Sequence, residues 1–244
     1  MDLTPSEVMS PTSSILTGRV PPSIDAVIPA RNEAPTVASV VAAVRGSAYV
    51  RDVIVVDDGS TDATGRLAAR AGARVVRRDA TEGSKAHALE AGVESSTADA
   101  VLFVDADLLG LTSAHVDELC EPFVANRAVM SIGTFDYGRW NWFVLRFPPT
   151  TGQRVLPRWV FDAVPAHKRY GYTIEIFINE VITERRLPMA ARVLGGVTHR
   201  TKRAKFGRVD GYRRTWRMFW ELWALWGVCR KRTYWFYLRD VVID

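Results

Sequence analysis

Three short segments place acids at the ends of apolar runs. Ile28-Pro29-Ala30-Arg31-Asn32-Glu33 ends one run, Val55-Val56-Asp57-Asp58-Gly59-Ser60-Thr61-Asp62 ends another in paired aspartates, and Phe103-Val104-Asp105-Ala106-Asp107 ends a third in an Asp-x-Asp. Asp is a good helix N-cap, so one acidic strand end carries little information. Three in one sheet would gather carboxylates at one edge, where they repel each other unless a cation or sugar hydroxyls intervene. An Asp-x-Asp suits Mg²⁺ or Mn²⁺, hard ions that take carboxylate and diphosphate oxygens together. As a Lewis acid such an ion neutralises a departing nucleoside diphosphate. No Walker-type loop is present and no GxGxxG follows the first run, which argues against kinases and dehydrogenases. A nucleotidyltransferase of related topology also uses paired aspartates. It would carry a Gly-rich triphosphate loop where this chain has Ala30-Arg31-Asn32-Glu33.

Positioning these residues takes strands and helices in alternation. Ile24–Pro29, Asp52–Asp57, Arg74–Arg77, Ala100–Asp105 and Ala128–Thr134 read as short Val- and Ile-rich strands. Between them, 33–44, 62–71, 84–95 and 113–125 show apolar spacings of three and four and read as helices. The alternation predicts an α/β fold, a Rossmann-like and mostly parallel sheet flanked by helices. Strands that are apolar almost throughout fit a sheet covered on both faces. Ligands of such sheets bind beyond the carboxyl ends of the strands. Residues 135–170 are irregular, aromatic and proline-bearing, and read as pocket-shaping loops; 171–186 reads as a helix and 189–198 as a strand.

The chain has 244 residues, 48% hydrophobic and 24% charged, enough to bury a core without disulfides. Its two cysteines, Cys120 and Cys229, lie far apart and show no metal spacing, which suits a reducing cytoplasm. Residues 1–22 are rich in Ser, Thr and Pro without the pattern of a signal peptide, and read as a flexible arm. No run approaches the roughly 18 apolar residues of a membrane span. The expected organisation is an arm over 1–22, a first half of the domain over 23–135, a second half over 136–208, and a basic aromatic helical tail over 209–244.

In their order and spacing, the three acidic segments together with Gly83-Ser84-Lys85-Ala86 resemble family 2 glycosyltransferases of GT-A fold. Within that family the chain is similar to glucosyl-3-phosphoglycerate synthases and, more distantly, to dolichol-phosphate mannosyltransferases. The first likeness extends through Thr151-Gly152-Gln153-Arg154-Val155, Tyr170-Gly171-Tyr172-Thr173-Ile174-Glu175-Ile176 and Gly195-Gly196-Val197-Thr198-His199-Arg200. The resemblance implies metal-dependent hexose transfer from a nucleoside-diphosphate sugar to a phosphorylated small molecule or a polyprenyl phosphate. It implies a donor site of Pro29, Ala30, Arg31, Glu33, Asp57, Ser60, Lys85, Asp105 and Ala106, with Glu33 on the ribose hydroxyls and Ser60 near the base. Mg²⁺ or Mn²⁺ would be held by Asp107 and His199. Glu175, with Asp107, would serve catalysis, and Gly152, Gln153, Arg154 and Arg200 would meet the acceptor. Leu156 and Pro157 stand where the phosphoglycerate enzymes continue with hydroxyl and acidic residues, so the acceptor stays open. A donor fold without activity, kept for binding a membrane or partner, is the non-enzymatic alternative; intact Asp105, Asp107 and His199 argue against it.

Charge is unevenly placed. Residues 200–244 hold 12 Lys/Arg against 4 Asp/Glu, leaving 20 against 23 in the first 199. Trp216, Phe219, Trp220, Trp223 and Trp226 fall at spacings of three and four, so 212–239 reads as a basic helix with an aromatic stripe. Such a helix either lies peripherally on an anionic membrane surface or docks on the body or on a second copy as a homodimer. No nucleic-acid-binding motif appears, and nucleic acid is not an expected partner.

Overall fold

In the computed structural model, residues 22–142, 151–171, 173–200 and 241–243 are described. The first strand, β1 (Ile24–Ala30), is buried almost throughout, and β2 (Val50–Asp58) runs parallel to it with Ile28 opposite Val55 and Ala30 opposite Asp57. Between them α1 (Val37–Arg45) buries Val37, Val40, Val41 and Val44 along one stripe, each worth about 1.5–3 kcal/mol of apolar burial. Helix α2 (Thr64–Arg70) leads to β3 (Arg74–Arg78), and α3 (Lys85–Ser95) leads to β4 (Ala100–Phe103). A short β5 (Leu108–Leu109) precedes α4 (Ser113–Val124), which begins at a Thr112–His115 capping box and leads to β6 (Met130–Phe135).

The second half adds β7 (Arg154–Pro157), α5 (Arg158–Asp162), α6 (Ile174–Glu184), β8 (Met189–Leu194), β9 (Thr198–His199) and β10 (Val241–Ile243). Eight strands form one sheet in the order β10-β8-β6-β7-β4-β1-β2-β3, and β5 pairs with β9 in a separate ribbon. All neighbours in the large sheet are parallel except at β7, which runs antiparallel to both β4 and β6. Two apolar clusters cover its faces. One gathers Leu89 of α3, Phe161 of α5 and Ile178 of α6, and the other gathers Val41 of α1, Ala68 of α2 and Leu119 of α4.

The mostly parallel α/β sandwich is as expected; several boundaries differ. The first helix begins at Val37, because Asn32 adopts a left-handed φ of 56° and a turn from Glu33 to Thr36 intervenes. The strand expected to reach Asp105 ends at Phe103, which leaves Asp105 and Asp107 free of the ladder. Within the segment read as loops, β7 fills a slot in the middle of the sheet. A run of four residues shows too little periodicity to be recognised beside its prolines. The aromatic helix expected over 212–239 and the arm over 1–21 lie outside the described residues. At the end of the segment expected as a tail, Val241–Ile243 pairs with β8 at the edge of the large sheet.

Candidate active site

The carboxyl ends of β1 and β2 are tied together by their own polar residues. The left-handed Asn32 donates its backbone N–H to Ser60 Oγ (3.0 Å) and accepts from the Thr61 N–H through Oδ1 (2.9 Å). Asp57 accepts the Ser60 N–H (2.9 Å), so the Ser60 hydroxyl stands at a fixed place. Glu33 is buried, its backbone N–H held by Thr64 Oγ1 (2.8 Å) at the start of α2. Ala30 is buried at the end of β1 beside it. Arg31 donates to the carbonyls of Asp58 (3.0 Å), Ala80 (3.3 Å) and Thr81 (3.0 Å), so its guanidinium braces the loop after β3. Asp58 accepts from the Ser84 N–H (2.7 Å) and pairs with Arg78, anchoring the entry to α3.

The centre of the site lies where α3, β4 and α6 converge. Lys85, first residue of α3, donates to Asp105 Oδ1 (2.6 Å) and to Glu175 Oε1 (2.7 Å). Burial works against its charge, but Asp105 and then Glu175 overcome this and raise the ammonium pKa above its ordinary value. On its other side Asp105 Oδ2 accepts from Gln153 Nε2 (2.9 Å). Glu175 is 4% exposed in the first turn of α6.

Behind Glu175 stands Arg154, fully buried. Its guanidinium donates to the carbonyls of Thr151 (3.1 Å) and Glu175 (3.1 Å) and to Asn179 Oδ1 (3.0 Å), and lies 4.0 Å from the Glu175 carboxylate. Arg154, expected from the resemblance to meet the acceptor, is thus buried behind Glu175 with these contacts to the protein. As part of β7 it faces α6, and its guanidinium makes four hydrogen bonds to the protein. Gln153 is likewise interior at 1% exposure, and Gly152 packs against Asp105, where a Cβ would meet the carboxylate at 2.2 Å.

Asp107 and His199 reach the site through the small ribbon. Leu108 pairs with His199, and the Arg200 N–H donates to the Asp107 carbonyl (2.9 Å), so residues far apart in sequence become neighbours. The His199 ring packs against Phe135 with centroids 5.3 Å apart and remains exposed. Burial and then Asp105 raise the Asp107 pKa, while His199 and Lys85 act in the opposite direction. Ala106 is buried beneath the Asp-x-Asp turn, with its carbonyl accepting from the Thr36 hydroxyl (2.8 Å). A separate cavity of about 550 Å³ opens between α2 and β3, lined by Asp57, Asp62, Arg66 and Arg77, and shares none of the Lys85, Asp105 and Asp107 cluster.

Of the sequence-derived set, Lys85, Asp105, Gln153, Arg154 and Glu175 form one connected group. Asp107 and His199 adjoin it, and Glu33, Asp57 and Ser60 stand along the tips of β1 and β2. Sequence reasoning missed Thr151, Asn179 and Thr64, each of which holds a site residue. Only Thr151 lay in a segment singled out by type; nothing in the periodicity of α6 marks Asn179 as an arginine partner.

Carboxylates and a lysine thus gather beyond the carboxyl ends of a mostly parallel sheet, an arrangement of GT-A type. Residues 25–183 match the model of glycosyl transferase family 2, and the chain belongs to that family. It is 36% identical over 110 residues to a glucosyl-3-phosphoglycerate synthase of Mycolicibacterium smegmatis, covering 42% of this chain and 36% of the relative. It is 38% identical over 101 residues to a 4,4'-diaponeurosporenoate glycosyltransferase of Staphylococcus aureus, covering 40% of this chain and 27% of the relative. These matches span little more than a third of the relatives' lengths or less. Among solved structures it is similar to glucosyl-3-phosphoglycerate synthase of Mycobacterium tuberculosis in complex with Mn²⁺, UDP-glucose and phosphoglyceric acid. That match has a TM-score of 0.62 at 27% identity, covering 73% of this chain and 72% of the other. Among the described residues no helix is long and apolar enough to cross a membrane.

Proposed function

We propose that this chain transfers a hexose from a nucleoside-diphosphate sugar to a phosphorylated small-molecule acceptor, with Mg²⁺ or Mn²⁺ as cofactor. The observation that carries the reading is the convergence of Lys85, Asp105 and Glu175 next to Asp107 and His199 at the carboxyl edge of the sheet. The synthase whose solved complex holds Mn²⁺, UDP-glucose and phosphoglyceric acid supports both the donor class and the acceptor class.

The residues present fit a divalent ion. Among the described residues no group of three His, Cys, Asp or Glu is arranged to hold a metal by itself. Asp107 and His199 would supply a carboxylate and an imidazole. That donor set suits an ion which keeps waters and takes substrate phosphate oxygens for the remainder of its shell. Asp107 is a carboxylate whose charge is disfavoured by burial and by Asp105, so a cation beside it relieves a cost already present. When bound, the ion acts as a Lewis acid on the leaving diphosphate.

The chain's own groups divide the remaining work. Glu33 would accept from ribose hydroxyls and Ser60 would meet the base, both on the rigid joint between β1 and β2. Asp105 would orient the ribose or donor sugar, its carboxylate fixed by Lys85. Glu175 would face the donor sugar or the acceptor hydroxyl. Arg200, on the ribbon beside Asp107, would meet an anionic acceptor. A second reading, a polyprenyl-phosphate acceptor at an anionic membrane surface, is favoured by the basic Trp-rich sequence over 212–239.

The test offers UDP- and GDP-sugars with Mn²⁺ or EDTA to the purified chain and follows phosphoglycerate and polyprenyl phosphate by mass spectrometry. The expected result is Mn²⁺-dependent gain of one hexose by phosphoglycerate. Gain by the polyprenyl phosphate alone selects the second reading. Absence of donor consumption with every sugar nucleotide in Mn²⁺ refutes both.

A further inference from the structure

The segment Thr151-Gly152-Gln153 does something its sequence does not declare. Gln153 is 1% exposed, so its amide has no face left for an acceptor. Its Nε2 donates to Asp105 Oδ2 at 2.9 Å, while its Oε1 lies 2.7 Å from the Thr151 hydroxyl, whose single proton is shared between this oxygen and the Gly133 carbonyl. The orientation of the amide follows from the partners: an ionised carboxylate only accepts, so the NH₂ group must face Asp105. Thr151 is itself fixed. Its hydroxyl also lies within hydrogen-bond distance of the Gly133 carbonyl, and its own carbonyl accepts from Arg154 Nε at 3.1 Å. Gly152 completes the cradle, since a Cβ there would stand 2.2–2.5 Å from the atoms of the Asp105 carboxyl group.

We infer that Gln153 is a positioning residue for the donor side of the reaction: with Thr151 and Gly152 it aims the Asp105 carboxylate, and it makes no contact with the acceptor. This rests on the reading of Asp105 as a donor-binding group. The chemistry explains why a glutamine suits the place. Lys85 already holds one oxygen of Asp105 and is shared with Glu175. A carboxylate at 153 would repel Asp105 and compete for that single ammonium. An apolar side chain would leave the second oxygen of Asp105 without its fixed donor. A neutral amide supplies the hydrogen bond and leaves the charge balance of Lys85, Asp105 and Glu175 as it is. Because Gln153 directly precedes β7 in the middle of the sheet, the aim of Asp105 depends on the strand joining the two halves.

The experiment compares wild type, Gln153→Leu and Gly152→Ala, which disturb Asp105 by different means: one removes the hydrogen bond, the other pushes on the carboxylate. Two quantities are read, the position of the Asp105 side chain in crystals free of ligand and the Kd for UDP in Mn²⁺ by calorimetry. Melting temperature is followed as a control for folding. In both variants we expect the Asp105 carboxylate to turn from its wild-type position and UDP affinity to fall about tenfold, the equivalent of about 1.4 kcal/mol, while both remain folded. An Asp105 that keeps its position in both variants overturns the inference, whatever the nucleotide does. So does unchanged UDP affinity in both when the wild type binds UDP. If wild type binds no nucleoside diphosphate at all, the donor reading fails, and the Asp105 position still decides whether Gln153 aims it. Should Gln153→Leu fail to fold, Gly152→Ala carries both measurements, since no left-handed φ is required of Gly152.

Discussion

Removal of the ammonium at position 85 separates a structural lysine from a solvated one. In Lys85→Met the two carboxylates it joins lose their shared partner, Glu175 with its side chain 5% exposed and Asp105 with its side chain 29% exposed. Breaking a buried pair by deleting one member costs about 3–5 kcal/mol, because the remaining charge stays desolvated. Partial exposure of Asp105 and the nearby Arg154 guanidinium, 4.0 Å from Glu175, put this site at the lower end, about 3 kcal/mol. For a chain of this size that is a fall in Tm of about 6–12 °C. The pH dependence has a definite sign. The folded-state pKa of Lys85 is raised above its unfolded value of 10.5. Its contribution is therefore fully present below that value and is lost only as pH climbs through the folded pKa. The gap between wild type and variant should accordingly stay constant from pH 7 to pH 9, followed by calorimetry or circular dichroism. Adding Glu175→Gln should recover much of the loss, since the second change removes a stranded charge. A Lys85→Met protein that melts with the wild type, or one that the second change destabilises further by the full amount, refutes the assignment of Lys85 as the cation balancing this cluster.

Two further outcomes follow from other parts of the structure. Asp107→Ala should lower Mn²⁺-dependent turnover by about 100-fold or more, as it removes one of the proposed metal ligands and the charge stabilisation behind it; full turnover of this variant in EDTA would count against any metal role. Cys120 is fully buried in α4, and burial, with Asp117 adding to it, pushes its thiol up to about 12. Peptide mapping after iodoacetamide at pH 8 should show Cys120 unmodified in the folded protein and alkylated in urea, and native-state alkylation would contradict its place in the core.

Much of the first half of the fold could be read from residue type and order. Val- and Ile-rich runs ending in Asp or Glu gave β1, β2 and β4, because a strand covered on both faces has few polar residues before its exposed end. The carboxylates of Asp57, Asp105 and Asp107 stood out for the same reason. What escaped reading depended on pairings over long separations. Nothing local in Arg154–Pro157 marks an antiparallel strand in mid-sheet; its identity comes from β4 and β6 on either side. Arg154 illustrates the cost of that gap. The resemblance placed it toward the acceptor, and nothing local in the sequence announces its contacts with the Glu175 carbonyl and Asn179, 21 and 25 residues onward. The nearness of Asp107 to His199 depends likewise on a ribbon of two residues per strand, too short for any periodic signal.

The antiparallel strand β7 also bears on the order of folding. Strands β1 to β4 make a contiguous block from residues 24–103, whereas β6 and β8 pair with each other and reach that block only across β7. Four residues thus form the seam between two sheet fragments among the described strands. A nascent chain can assemble the first fragment as it emerges, but it cannot register the second against it until Arg154–Pro157 has left the ribosome. Asp105 follows the first fragment and Glu175 precedes β8 of the second, so Lys85 bridges the two. Amides of β7 should accordingly exchange with solvent only in openings large enough to part the two fragments, and the Lys85–Asp105–Glu175 cluster would be lost in the same event.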